Sequence, residues 1–457
     1  MTARRLPGGF WKLLTAGFVS NIGDGLALVA FPWLAVTMTD QPILIAGVAI
    51  AAKAPWLVFS LPAGVIIDRS DRRRAMVASN IVRGVVTAVV AALVAAGHMN
   101  LPLAYLALLV LGCAEVVYDN SLVTMVPAVV TDKDQLFRAN GWVHAAQNVA
   151  NDFLGAPIAG LVAGFALFLP FALQSVAATA SAIMLALIAG SYVARGDQGP
   201  TAAANTAATT GPATGPTTGP TTAPARARSG ARGELAEGLS WLWRHPLFRF
   251  FALTSSVMSA TGAAILAIYV LFAREIVGLG PTGYGLTLAV GGAGMVAGTR
   301  LVDWTARRLG RARVLRYGLF GHGVIFLVCA VSPHVLVVSA VLFCWGLFGA
   351  YWNVITLSLR QVLIPDHLLG RVGSAYRLIG VGGPATLGVA LGSVIVTVVA
   401  ATATRDLGLR MPFIIGAAAS LAIGVASLSR VTEHTIAAAE ADLESTNEDD
   451  VTEPVAG

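Results

Sequence analysis

The chain has 457 residues, of which 56% are hydrophobic and only 12% charged. Soluble globular proteins carry about twice that share of charge, so the main solvent of this chain is lipid. Thirty Lys and Arg against 24 Asp and Glu give a formal net charge of +6. The basic residues punctuate apolar runs and form no continuous patch, so no nucleic-acid partner is expected.

Apolar runs of 18 or more residues recur along the chain, each long enough to cross about 30 Å of hydrocarbon as a helix. In lipid every backbone polar group needs a partner within its own segment, which favours helices. The alternating pattern of a β-barrel is absent. The expected fold class is therefore an all-α membrane protein with twelve transmembrane helices: 10–37, 43–67, 74–96, 101–127, 138–163, 166–194, 248–275, 282–306, 312–331, 335–363, 370–402 and 410–430. The first run is too long for a cleaved leader and is followed at once by another span, so it reads as a retained helix. Cys113, Cys329 and Cys344 all fall inside spans and read as small buried side chains.

Charge in the loops sets orientation. Arg4, Arg5 and Lys12 mark the N-terminal end, and basic residues fill the loops after even-numbered spans; Arg274, Arg405 and Arg410 are the exceptions. The positive-inside rule places both termini in the cytoplasm. Only Lys12, Lys53 and Lys133 are lysines, and the Arg- and Ala-rich usage reads as GC-rich bacterial coding, hence a multi-pass protein of the bacterial inner membrane.

Four regions follow. Residues 1–195 form an N-terminal six-helix half and 248–430 a C-terminal one. Between them, 196–247 form a cytoplasmic linker. Its stretch 196–233 repeats Thr-Gly-Pro, cannot build a core and is expected to be disordered. Glu234 to Arg244 is amphipathic and expected at the membrane surface. Residues 431–457 form an acidic, solvated tail. The halves look duplicated: an offset of 233 carries Asn120 onto Asn353, Arg138 onto Arg371 and Gly155 onto Gly388.

Ionisable groups at membrane depth are costly and point to function. Asp24 in span 1 and Lys53 in span 2 fall at similar depth, so they are expected either to pair or to compete for a proton. Glu115 and Asp119 are spaced i, i+4 on span 4 and share a face with Tyr118. Span 5 carries a stripe of His144, Asn148, Asn151, Asp152 and Gly155. Asp24, Glu115, Asp119 and Asp152 are the proton-coupling candidates and Lys53 their charge partner; a structural ion pair, polar packing between helices and a plain counter-ion are the competing readings. Burial of a carboxylate favours its neutral form, which lets protonation bias a two-state rocker. The second half carries no deep acid. Its polar content is Ser255, Ser259, Asn353, Thr356 and Arg377, beside Trp345, Phe348, Tyr351 and Trp352. Asn148, Asn151, Trp345, Tyr351, Trp352 and Asn353 are therefore candidates to line a substrate cavity, with packing the alternative for the aromatics.

A charge knot interrupts this chain at GVIIDRSDRRRAM, residues 64–76. Orientation explains its arginines but not Asp68 and Asp71. Two six-span halves, a long central linker and Gly-x-x-x-Asp-Arg-x-x-Arg-Arg-Arg between spans 2 and 3 resemble the major facilitator superfamily, with matches at Gly64, Asp68, Arg69, Arg72 and Arg73. Asp71 stands where that family commonly has glycine. SNIGDGLALVAFP, LFRAN, EGLSWLWRHPLFR and LLGRVGSAYR look like the macrolide-efflux and siderophore-exporter branch. The resemblance implies a cytoplasmic gate, in which Asp68 meets the N-terminus of helix 11 near Gly370 and latches that side shut. A carboxylate there gains from the helix dipole and free N–H groups.

No P-loop is present, since none of the three lysines is followed by Ser or Thr. GLGPTG, residues 278–283, fits a dinucleotide pattern but lies between membrane helices without a preceding strand. No enzyme activity, metal or cofactor is expected. The expected function is a monomeric, proton-gradient-driven exporter of amphiphilic small molecules, with protons, substrate and the lipid bilayer as partners. Uptake symport of a small metabolite and a non-transporting receptor or assembly role are the alternatives.

Overall fold

The computed structural model of the chain describes residues 6–59, 70–130, 132–188, 231–435 and 437–438. The described residues form helices and no strands. In the first half these are α1 (Gly8–Met38), α2 (Pro42–Val58), α3 (Arg72–Ala95), α4 (Leu101–Val129), α5 and α6 (Leu169–Ala186). α5 runs as Lys133–Asn148, a π-helical stretch Val149–Gly155, and Ala156–Phe165. A short α7 (Ala231–Arg244) leads into α8 (Pro246–Leu271), which ends in a π turn, Phe272–Ile276. Then come α9 (Pro281–Leu309), α10 (Arg311–Val331), α11 (Val335–Leu363), α12 and α13 (Arg405–Arg430). α12 runs as Asp366–Arg377, a π turn Leu378–Gly382, and Gly383–Thr402.

Among the described residues ten helices are long and apolar enough to cross a membrane. The two remaining expected spans are α2, whose expected C-terminal part lies outside the described residues, and α5, which is broken by its π stretch. The eleventh expected span, α12, begins at Asp366, about one turn before the expected Gly370. Only 28–56% of the span windows is buried within the protein, and Val85, Leu106, Leu387 and Val425 stand exposed. Apolar side chains facing outward at this density fit a lipid surround.

Local sequence explains where helices start. The Asp71 side chain accepts from the Arg74 N–H at 3.0 Å and caps α3. Asn100 caps α4 through the Leu103 N–H at 3.0 Å. Thr404 caps α13 through the Leu407 N–H at 3.2 Å. Each satisfies an N–H that the helix leaves without a partner. The role of Asp71 in the charge knot is thus a helix cap.

Prolines explain one of the π segments in detail. Pro384 has no N–H for the Gly380 carbonyl one turn back. Helix α12 widens there, and Ser259 of α8 donates to that carbonyl at 3.0 Å while Ser256 donates to the Ile379 carbonyl at 2.6 Å. In α5, Pro157 follows the π stretch in the same manner. A close helix crossing lies within the α5 stretch and another just beyond the α12 turn. A Cβ on Gly25 of α1 would lie 2.3 Å from the Asn151 carbonyl oxygen of α5, and one on Gly155 2.6 Å from the Gly25 Cα. A Cβ on Gly388 of α12 would lie 2.0 Å from the Ala260 carbonyl oxygen of α8. Gly155 and Gly388, paired by the sequence offset, therefore sit at equivalent crossings.

Within the first half α6 packs on α1 and α3, and α4 packs on α2 and α3. Within the second, α9 packs on α11, α13 on α10 and α12, and α8 on α12. The halves meet where the C-terminal part of α5 packs on α9 and where α2 packs on α12 and α8. Those contacts lie towards the face opposite the Arg-rich loops. There one apolar cluster runs through both halves, from Leu26, Phe31 and Trp33 to Ile268, Phe272 and Tyr284. Towards the basic face the core divides. One cluster, including Phe10, Met76 and Tyr118, belongs to the first half, and another, including Phe248, Trp352 and Tyr376, to the second. Among the described residues the apolar core is thus continuous across the halves at one face and parted at the other.

Candidate functional site

Among the described residues Asp24 and Asp119 both lie within reach of Arg83, an intramembrane residue of α3. Arg83 is 2% exposed and forms an ion pair with Asp24 of α1. Its Nη1 donates to Ser20 Oγ at 2.9 Å and to Asn80 Oδ1 at 3.2 Å. Asn80 Nδ2 donates to Ser181 Oγ at 2.8 Å, and Ser181 donates to the Ala16 carbonyl at 2.7 Å. The guanidinium carbon lies 5.8 Å from the centre of the Tyr118 ring on α4. Four helices, α1, α3, α4 and α6, are therefore joined through one cation. A buried charge needs this degree of pairing and hydrogen bonding to offset its desolvation.

The expected pairing of Asp24 with Lys53 is corrected: the cation on Asp24 is Arg83. The long Arg83 side chain enters the interior of the first bundle, which Asp24 faces. Lys53 is exposed and within Coulombic reach of Asp119. Asp119 also lies within reach of Glu115 and Arg83. Glu115 and Asp119 are both half-buried on one face of α4, as their spacing implied. Arg83 was readable from sequence by the depth rule applied to the acids. It stands nine residues past Arg74, about 13 Å into an apolar span.

In α5 the Asn151 Oδ1 is buried and has no hydrogen-bond partner among the described residues. The Asp152 and Asn148 side chains lie outside the described residues, as do Gly64, Asp68 and Arg69 of the loop motif. Of that motif Arg72 begins α3. Arg73 Nη1 donates to the Ile188 carbonyl and reaches the Ala186 carbonyl at 3.4 Å. Arg73 thereby holds the carbonyl end of α6, where a cation is favoured by the helix dipole.

The aromatic candidates divide. Trp352 is buried: its Nε1 donates to Ser255 Oγ at 2.9 Å, and Ser255 is 2.5 Å from the Tyr376 hydroxyl. Tyr351 is buried too, its hydroxyl 3.0 Å from Thr305 Oγ1. Both tie helices of the second bundle together, and with His322 and Phe348 they also line a small cavity there. An indole or phenol buried in lipid needs a partner, and the neighbouring helices supply one. Trp345 is half-buried, its ring edge-on to Phe326 at 5.4 Å, and Asn353 is exposed.

Two helical bundles that share an apolar core at one face and, among the described residues, keep separate cores at the other, with a charge network inside one of them, define a polytopic membrane transporter. The Major Facilitator Superfamily model matches residues 13–387, and the chain belongs to that family. It is 25% identical over 375 residues to the multidrug efflux pump Tap of Mycolicibacterium fortuitum, covering 79% of this chain and 82% of Tap. It is 32% identical over 158 residues to an uncharacterised MFS-type transporter of Mycobacterium tuberculosis, covering 34% of this chain and 35% of that relative. That match spans about a third of the relative's length. Among solved structures, a mutant of the nucleoside transporter NupG superposes with TM-score 0.69 at 11% identity, covering 93% of this chain and all of that one. A bacterial homologue of the iron transporter ferroportin, in an inward-facing state, superposes with TM-score 0.68 at 15% identity, over 94% and 100% of the two chains. These identities show a shared fold.

Proposed function

We infer that this transporter is a proton-driven exporter of amphiphilic small molecules in a bacterial inner membrane, with its basic face in the cytoplasm. One observation carries the reading. Asp119 stands half-buried on α4 within reach of the half-buried Glu115 and the exposed Lys53, while the Asp24–Arg83 pair is locked into the bundle. Asp119 and Glu115 are the groups that take up and release the proton. Asp24 and Arg83 act as a fixed, neutral support. The substrate enters between the parted ends of the halves and leaves when they rock about the seam. The likeness to Tap supports export and a drug-like substrate. The chain acts as a monomer.

The test uses everted vesicles from a pump-deficient host, energised by a pH gradient and offered a panel of lipophilic dyes and antibiotics. Wild type is expected to show uncoupler-sensitive uptake, and Asp119→Asn at normal protein level is expected to lose it. Uptake retained in Asp119→Asn removes that residue from coupling. Proton-linked accumulation of a small metabolite by whole cells replaces export with symport. No uptake of any compound in either assay favours a non-transporting role.

A further inference from the structure

Three arginines stand on the face opposite the basic loops: Arg274, Arg405 and Arg410. The rule that orients the chain leaves them unexplained. Arg410 stays within its own half. It donates to the Ala330 carbonyl at 2.6 Å and pairs with Asp406 at 2.8 Å. Arg274 and Arg405 reach the other half instead. Glu275 grips Arg405 at two points, 2.6 Å from Nε and 2.8 Å from Nη2. Held this way, Arg405 Nη2 donates to the Asp40 backbone carbonyl at 2.6 Å. Arg274 donates to the Val36 carbonyl and lies 3.7 Å from the Asp40 carboxylate.

The acceptors explain the geometry. The last carbonyls of a helix have no partner within it, and that end attracts cations. α1 has no basic residue in its own last turn. Its carbonyl end is therefore held by guanidinium groups from the opposite half. Among the described residues the other hydrogen bond between halves is Thr282 Oγ1 to the Gly160 carbonyl, 3.0 Å, at the same face.

We propose that Arg274 and Arg405, positioned by Asp40 and Glu275, form the outer gate of the transport cycle and set the balance between its two end states. Any rocking that opens this face must break both donations, one to the last turn of α1 and one to Asp40 just beyond it. Exposed ion pairs are individually weak, so the gate biases the equilibrium and does not lock it. Losing both arginines shifts the ratio of open to closed on the order of tenfold.

The experiment places spin labels at Gln41→Cys and Ala403→Cys, both exposed, with Cys113, Cys329 and Cys344 replaced by Ser. Distances are read in lipid nanodiscs without substrate or gradient, so the outcome is independent of the export reading. The double variant Arg274→Gln/Arg405→Gln is expected to raise the longer-distance population about tenfold relative to the shorter one. Arg410→Gln removes the same charge from the same face and is expected to leave the distribution unchanged. A wild-type distribution in the double variant overturns the proposal, as does an equal shift in Arg410→Gln. Where the double variant does not yield folded protein, Arg405→Gln alone is read, with a smaller shift supporting the gate and none overturning it.

Discussion

Replacing Arg83 with Met keeps the length of the side chain and removes its charge. Asp24 then loses its cation, and Ser20 and Asn80 lose their guanidinium donor. Breaking a buried ion pair from one side typically costs about 3–5 kcal/mol, because the remaining charge is stranded. The Asp24 side chain is 22% exposed, so water reaches it and the lower end, about 3 kcal/mol, applies. Converting both residues, Asp24→Asn with Arg83→Met, strands no charge and is expected to recover most of the loss. The assay is thermal unfolding of detergent-purified protein, read by intrinsic fluorescence for wild type, both single variants and the double. The double-variant cycle gives the coupling energy directly. An Arg83→Met variant as stable as wild type would refute the reasoning, and so would a double variant no better than the worse single.

Two further outcomes follow from packing. Gly25→Val should abolish folded protein, because a Cβ there would sit 2.3 Å from the Asn151 carbonyl oxygen, whereas Gly318→Ala should be tolerated because nothing lies within 4 Å; size-exclusion yield after extraction distinguishes them. Trp352→Phe loses both the bond to Ser255 and part of the buried ring, so it should cost more than about 1 kcal/mol of stability and leave the range of transported dyes unchanged; a changed range would place Trp352 on the substrate wall.

The charge knot at residues 64–76 shows how far local reasoning reaches. Its positive charge follows from orientation, a property of loops alone. The cap that Asp71 forms on an N–H three residues away is a local feature too, legible once the start of α3 is fixed at Arg72. Arg73 needs the end of α6, more than a hundred residues on, and no local pattern announces that. The equivalent pair in the second half is tied in the opposite sense: Glu433, after α13, accepts from the Ala312 N–H at 2.9 Å at the start of α10. The duplication is visible as an offset in sequence; the inversion of charge across it is visible only in space.

Span number, helical state and membrane class were determined by the sequence itself, because the bilayer imposes a length and a polarity on each segment separately. Depth along a span was determined too, since helical rise converts residue count into distance. Azimuth was not. Asp24 and Lys53 share a depth, but the partner of Asp24 depends on which way α1, α2 and α3 are rotated, and that is set by packing among all the helices. The same holds for Trp352, whose neighbours α8 and α12 supply its partners, and for Arg274 and Arg405, whose acceptors are carbonyls that any residue type would provide. Tertiary structure decided these points because a side chain's role in lipid rests on what meets it across a helix interface, not on how deep it lies.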